Sequence, residues 1–229
     1  MTAGAPLDTI SATVRAETAV TRSRFIATLA PVPDEVTADE VITSVRREFR
    51  DARHHGTAMV IGPDGQWERS SDDGEPAGTT GAPMLAVIRG AGLTDVVVVV
   101  SRYFGGTLLG AGGLVRAYGG AVSAALDGAR RRVRRPVEVI DVRVAHRDAG
   151  RLEHRLRTWA EQQPSGTEVV VGEGRYAADA ARFELSVPPG LVATLDDLLA
   201  SSGIGYGRED LGASIREFDA GRAPGRAPG

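Results

Sequence analysis

The chain has 229 residues, a formal net charge of −3 and no cysteine, which excludes thiol nucleophiles, disulfides and thiolate metal centres. All 27 basic side chains are arginine, so a Schiff-base lysine and the lysine of a Walker-type phosphate loop are excluded as well. The start of the sequence lacks a signal-peptide pattern, and the longest aliphatic run, residues 96–100, is too short to cross a bilayer. We therefore expect a soluble, cytoplasmic protein without a membrane partner.

The first half of the chain alternates strand and helix patterns. Residues 14–18 and 25–32 are typical of two strands joined by a turn at 21–23. A helix is predicted to begin at Thr37, which forms a capping box with Glu40. Residues 57–61 and 66–70 flank a turn at 63–65 and predict a hairpin.

Two loops then surround a buried strand. A loop over 71–81, rich in Asp, Gly, Pro and Thr, precedes a short helix near Pro83. The β-branched run at 95–101 is typical of a central strand that is buried on both faces. A glycine-rich loop at 105–113 then leads to a helix predicted over 114–126.

The pattern restarts after five arginines at 130–135, which we interpret as a solvated basic linker. The following residues predict strands at 137–145, 168–171, 183–187 and 213–218, with helices around 152–159 and 191–200. This is the β-α-β-β-α-β order of ferredoxin-like domains. We therefore predict an α+β protein with an N-terminal domain at 1–133, a ferredoxin-like domain at 134–219 and a disordered tail at 220–229.

The first candidate site combines two adjacent histidines with an acidic loop. His54 and His55 enter a strand, where successive side chains point to opposite faces, so only one can face a given pocket. The loop carboxylates of Asp72, Asp73 and Glu75 repel one another unless they are compensated. They could bind a divalent cation, but no recognised metal-binding spacing is present. We favour a rigid loop whose carboxylates cap helices and pair with arginines.

The second candidate site is the junction between the strand near residue 101 and the following helix. A strand, a glycine loop and a helix start place free backbone N–H groups at one spot, where the positive end of the helix dipole favours an anion. Arg102 before the loop and Arg116 in the helix add positive charge. This arrangement suits a phosphate, although glycines that serve only tight turns and close packing would produce the same pattern.

Four sequence motifs resemble the IMPACT/YigZ family. They are Asp-Ala-Arg-His-His at 51–55, Ser-Asp-Asp-Gly-Glu-Pro-Ala-Gly-Thr at 71–79, Arg-Tyr-Phe-Gly-Gly at 102–106 and Leu-Gly-Ala-Gly-Gly-Leu-Val-Arg-Ala-Tyr at 109–118. The resemblance covers residues 10–130, and the remainder looks like the second domain of bacterial members. It implies an N-terminal domain similar to domain IV of elongation factor G and a C-terminal domain similar to domain V of that factor.

The resemblance also implies a set of binding residues and a function. The positions that match the family motif, together with Arg116, are His54, Asp72, Asp73, Gly74, Glu75, Pro76, Gly78, Gly81, Arg102, Gly105, Gly106, Gly112, Gly113, Arg116 and Tyr118. We expect a non-enzymatic protein, without cofactor or metal, that acts in translation by binding RNA or the ribosome. The alternatives are an enzyme or sensor for a small phosphorylated metabolite, which would use the acidic loop and His54, and a protein–protein regulator.

Three positions depart from the family pattern. This chain has Gly56 where a larger residue is common, Thr80 where alanine is common, and Arg116 where lysine is frequent. The arginine keeps the positive charge without a titratable amine, so lysine-based catalysis is not expected at that position.

Overall fold

A computed structural model of the chain describes residues 6–164 and 166–220. The chain divides into two compact units, Met1–Val133 and Arg134–Gly229. The tail predicted at 220–229 lies, except for residue 220, outside the described residues. The protein has an α+β architecture in which each unit combines helices with a mainly antiparallel sheet.

The first unit is built on a five-stranded antiparallel sheet in the order β2-β3-β6-β4-β5, with β6 at its centre. Its elements are β1 (Thr9–Ile10), β2 (Val14–Val20), β3 (Ser23–Pro31), α1 (Glu35–Glu48), β4 (His54–Ile61), β5 (Trp67–Ser71), α2 (Gly81–Gly90), β6 (Val96–Tyr103) and α3 (Gly110–Asp127). The two predicted strand pairs and the buried central strand are confirmed.

Helices cover both faces of this sheet because the β6 side chains alternate between them. Val96, Val98 and Val100 pack into the larger core, which includes residues of α2 and α3. Val97 packs on the opposite face, in a smaller cluster that includes Ala38 of α1. Successive residues of a strand therefore face α2 and α3 on one side of the sheet and α1 on the other. This alternation determines the face on which each candidate site residue lies.

The helices α1 to α4 begin earlier than the sequence predicts, and two of these starts bear on the site or its surroundings. Asp34 caps α1, since its carboxylate accepts the Thr37 N–H at 2.8 Å, so the helix begins before the predicted capping box. Helix α3 begins at Gly110, four residues earlier than predicted. Glycine has low helix propensity, so the glycine-rich residues at 110–113 carry no local helix signal.

The second unit follows a strand, helix, strands, helix, strand order. Its elements are β7 (Arg131–Val144), which begins at the end of the first unit, α4 (His146–Glu161), β8 (Val170–Val171), β9 (Arg175–Tyr176), β10 (Ala181–Val187), a 3₁₀ turn at Pro189–Leu191, α5 (Val192–Ala200) and β11 (Tyr206–Asp219). In the sheet, β11 pairs with β7, β7 with β10, and β10 with β8. The two-residue β9 was not predicted, and β11 is longer than the predicted strand at 213–218.

Four of the five arginines in the run lie in strand β7, so the segment predicted as a basic linker is mostly an extended strand. Within the first unit, Thr9 and Ile10 of β1 pair with Arg132 and Arg131. Arg131 also lies 3.6 Å from the carboxylate of Asp8 and donates a hydrogen bond to a backbone carbonyl. Backbone pairing and ion pairs thus hold this segment in an extended conformation.

Candidate functional site

The candidate site is built on one row of side chains across the sheet. Arg102 of β6 has Phe25 of β3 and His54 of β4 as its cross-strand neighbours. By the alternation along each strand, these three residues lie on the face covered by α2 and α3. The next row, His55 and Ser101, lies on the α1 face. The two histidines therefore lie on opposite faces, and only His54 lines the cleft described below.

Arg102 is held in a buried ion pair. Its Nη1 lies 2.6 Å from Glu75 Oε1, and the side chains of Arg102 and Glu75 are only 6% and 5% exposed. The guanidinium also lies 5.5 Å from the ring centroid of Phe25 and 5.6 Å from that of Phe104. Its Nε is buried without a hydrogen-bond partner among the described residues. The arginine is thus fixed in place and keeps unused donor capacity.

Tyr118 of α3 completes this network. Its hydroxyl donates to Glu75 Oε1 at 2.8 Å, and its ring meets Phe25 edge-on with centroids 5.2 Å apart. Burial raises the pKa of Tyr118, and the hydrogen bond to Glu75 raises it further, because both disfavour the phenolate. Tyr118 therefore remains protonated and acts as a hydrogen-bond donor that orients Glu75.

The Asp72 carboxylate binds backbone groups at the other end of the acidic loop. Its carboxylate accepts backbone N–H groups from Gly78 at 2.7 Å, Thr80 at 2.9 Å and Gly81 at 2.8 Å. Burial alone would raise the pKa of Asp72, but these three donors together hold it below its ordinary value. Because Gly81 is the first residue of α2, the carboxylate also caps that helix.

Asp73 ties the loop to the rest of the domain. Its Oδ1 accepts from Arg46 of α1 at 2.6 Å, and its Oδ2 accepts the His55 N–H at 2.6 Å. Its carbonyl oxygen lies 2.8 Å from His54 Nδ1. Burial opposes ionisation, but these donors outweigh it and lower the pKa of Asp73. A φ of 49° places Asp73 in the left-handed region, which aspartate adopts more readily than most other non-glycine residues.

The three loop carboxylates therefore have separate structural partners. Within residues 6–164 and 166–220, no group of three or more His, Asp or Glu side chains could hold a metal ion. This geometry matches the predicted rigid loop, in which the carboxylates cap helices and pair with arginines. The metabolite alternative relied on these carboxylates as metal ligands or acid–base groups, and their oxygens are instead engaged by backbone N–H groups, arginines and Tyr118.

A close approach to the neighbouring backbone explains why position 105 is glycine. A Cβ on Gly105 would lie 2.2 Å from the carbonyl carbon and oxygen of Arg22, so no other residue fits without moving the neighbouring turn. The other predicted loop glycines serve the chain path: Gly74, Gly78 and Gly106 have positive φ, and Gly81 approaches the Ser71 backbone.

A cleft of about 290 Å³ opens beside the Arg102–Glu75 pair. Its lining residues are Arg53, His54, Glu75, Pro76, Arg102, Phe104, Leu108, Leu109, Gly110, Ala111 and Leu114. The first turn of α3 contributes Gly110 and Ala111, and Leu109 provides no side-chain cap for this helix. The first N–H groups of a helix have no intrahelical partner, so those of Gly110, Ala111 and Gly112 are available to a ligand, whereas Gly113 lies one position further into the helix.

One exposed arginine lines this cleft, and a second lies beside the first turn of α3. Arg53 lines it, with its guanidinium 5.8 Å from the Phe104 ring centroid. Arg116 lies beside the first turn of α3, since its Nη1 is 3.5 Å from the position that a Cβ on Gly112 would take. In the described part of the chain neither arginine forms an ion pair. Because Glu75 compensates Arg102, the described residues leave one cation without a counter-charge in the cleft, Arg53, and one beside the first turn of α3, Arg116.

The sequence motifs contain Arg53 and Phe104, but neither was predicted as a site residue. Arg53 immediately precedes His54 and Phe104 immediately follows the Arg-Tyr pair, so both were inside the quoted motifs. Their exposure beside the cleft is the signal that distinguishes them, and it depends on the tertiary structure.

The model of the Impact N-terminal domain family matches residues 21–126, a range that contains the whole cleft. An IMPACT family member from Thermus thermophilus is 41% identical over 174 residues, which are 75% of this chain and 87% of that relative. The chain belongs to the IMPACT family. Relatives also include YigZ of Escherichia coli, 52% identical over 109 residues, and YvyE of Bacillus subtilis, 40% identical over 141 residues.

These IMPACT relatives are matched to different extents. The match spans 47% of this chain and about half, 53%, of the Escherichia coli YigZ. It spans 62% of this chain and 65% of the Bacillus subtilis YvyE. A crystal structure described as that of a hypothetical protein is 34% identical, with a TM-score of 0.55, and the superposition covers 89% of this chain and 97% of that one. In the described ranges no helix is long and apolar enough to cross a membrane.

Two of the departures from the family pattern lie in direct contact. A Cβ on Gly56 would lie 2.1 Å from the Thr80 methyl carbon and 3.3 Å from atoms of Met84 and Tyr118. The threonine methyl therefore occupies the space that a larger residue at position 56 would need. The smaller residue at one position compensates for the larger residue at the other.

Proposed function

We propose that this IMPACT family member is a cytoplasmic, non-enzymatic protein that binds RNA phosphate, as free RNA or on the ribosome, through the cleft of its first unit. The observation that carries the proposal is a pair of arginines without an ion-pair partner among the described residues: Arg53 lines the cleft, and Arg116 lies beside the uncapped first turn of α3. Backbone N–H groups and free guanidinium groups are the donors that phosphate oxygens require.

The role in translation follows from the resemblance to an elongation factor. We infer that the first unit is similar to domain IV of elongation factor G, and that the second is a ferredoxin-like domain similar to domain V. The sheet order of the second unit, with β7 and β10 central between β11 and β8, supports the second part of this inference. Fold similarity alone does not determine function, so the proposal depends on the cleft and its charges.

Binding to RNA is tested with exposed residues, because removing Arg102 would leave the buried Glu75 carboxylate unpaired. Fluorescence anisotropy with a labelled single-stranded RNA should show binding at low salt that weakens by an order of magnitude or more in the Arg53→Ala/Arg116→Ala double variant. Arg47 is the matched control, an exposed arginine on α1 on the opposite face of the sheet, and Arg47→Ala should bind like the wild type. Equal affinity in all three proteins would refute the proposal.

The link to translation is tested separately by pelleting the protein with purified ribosomes at low salt. We expect the wild type and Arg47→Ala to sediment with the ribosomes, and the double variant to remain in the supernatant. If the wild type binds free RNA but never sediments with ribosomes, the translational role is wrong while RNA binding stands.

A further inference from the structure

The mouth of the cleft exposes an aromatic ring among positive charges. Phe104 is 39% exposed and Leu108 is 87% exposed, although both are large apolar residues that line the cleft. The Phe104 ring lies within 6 Å of the guanidinium groups of Arg53 and Arg102. A site for phosphate alone needs the arginines and the helix start, but it does not need an exposed ring.

From this combination we propose that the cleft takes one unpaired nucleotide of single-stranded RNA, with its base stacked on Phe104 and its phosphate at the first turn of α3. The inference rests on the proposed RNA-binding function and specifies the ligand of that site. Unstacked bases of single strands bind to aromatic rings and to the planes of arginine side chains, whereas the bases of a duplex are stacked on one another and inaccessible.

The size and lining of the cleft suit a small ligand such as a single nucleotide. Its volume of about 290 Å³ is close to the lower limit of about 300 Å³ for small-molecule sites. The lining combines the apolar side chains of Phe104 and Leu108 with the backbone of Gly110 and Ala111 at the start of α3. A nucleotide likewise combines an apolar base face with an anionic phosphate.

Arg102 provides a second, independent indication of a ligand. Its side chain is more than nine-tenths buried, it lines the cleft, and its Nε has no acceptor among the described residues. Glu75 occupies only Nη1. A buried donor without an acceptor is unfavourable, and the carbonyl or ring nitrogen of a base entering the cleft offers an acceptor to the guanidinium group.

The experiment compares a labelled single-stranded oligouridine of about a dozen nucleotides with a duplex of similar length, by anisotropy at low salt. Phe104→Ala should weaken single-strand binding about tenfold or more, the loss typical of one stacked base, and leave duplex binding unchanged. Phe104→Trp should restore the affinity and show tryptophan quenching beyond that of the wild type when RNA is added. The matched control is Trp67→Ala, which removes an exposed aromatic side chain on β5 outside the cleft, and it should bind single strands normally.

Three results would overturn the inference. The first is a Phe104→Ala variant that binds single strands as tightly as the wild type, and the second is one that loses affinity equally for single strand and duplex. In both cases RNA binding through Arg53 and Arg116 survives, so only the stacking site is wrong. The third is a wild type that binds neither RNA, which refutes the proposed function as well.

Discussion

Neutralising Glu75 should strongly destabilise the first unit. The Arg102 and Glu75 side chains are 6% and 5% exposed and lie 2.6 Å apart, so Glu75→Gln leaves the Arg102 cation buried without a counter-charge. Breaking a buried ion pair in this way costs about 3–5 kcal/mol. Tyr118→Phe removes only the hydroxyl that donates to the same oxygen, and should cost about 1.5–3 kcal/mol.

The assay is urea unfolding followed by circular dichroism, with the free energy of unfolding obtained by linear extrapolation. The double variant Glu75→Gln/Arg102→Leu removes both charges, and should be more stable than Glu75→Gln alone because no uncompensated charge remains buried. The reasoning would be refuted if Glu75→Gln lost less than about 1 kcal/mol, the value typical of an exposed pair, or if the double variant were no more stable than Glu75→Gln.

Three further predictions concern the surroundings of the cleft. Gly56→Ala should lose about 1–3 kcal/mol of unfolding free energy because its Cβ would overlap the Thr80 methyl, and adding Thr80→Ala should recover most of the loss; urea unfolding of both variants checks this. Gly105→Ala should lower the melting temperature because its Cβ meets turn backbone, whereas Gly120→Ala, which has open space on α3, should leave it unchanged or raise it. Burial, with a contribution from the neighbouring Arg46, lowers the pKa of His55 below its ordinary 6.5. The unfolded chain therefore binds a proton first, and stability should fall as the pH drops below about 6.5; replacing His55 with glutamine should make this slope shallower in melting temperatures measured between about pH 7 and 5.

The alternation of strand residues made part of the site predictable. The run of valines in β6 identified the central strand, and the two-residue period separated His54 from His55. These features depend on local sequence, in which apolar and β-branched residues recur at fixed spacing. The glycine motifs likewise placed the loop beside the start of α3.

The partners of the acidic loop were not predictable in the same way. Asp73 binds Arg46 of α1, and Glu75 binds Arg102 of β6 and Tyr118 of α3, which are 27 and 43 residues away along the chain. Such pairs are set by the packing of helices on the sheet, and no local spacing encodes them. For the same reason the sequence favours structural contacts over a metal site for the three carboxylates but does not identify the partner of each one.

The sequence prediction is wrong about the start of α3, and this difference bears on the proposed function. Propensity placed Gly110 and Gly112 in a loop, but tertiary packing of Leu114 and Tyr118 against the sheet extends the helix to Gly110. Packing commonly overrides propensity. The uncapped N–H groups therefore lie at 110–112, and Gly110 and Ala111 are in the wall of the cleft, at the phosphate site that we propose.

The salt dependence of RNA binding tests the central claim most directly. A contact with one phosphate of a single strand contributes about −0.7 to the slope of log K against log salt concentration. If Arg53 and Arg116 each neutralise a phosphate, the slope of the Arg53→Ala/Arg116→Ala variant should be shallower than that of the wild type by about 1.4, while Arg47→Ala keeps the wild-type slope. A double variant with the wild-type slope and affinity would contradict the account, because the cleft would then hold no phosphate.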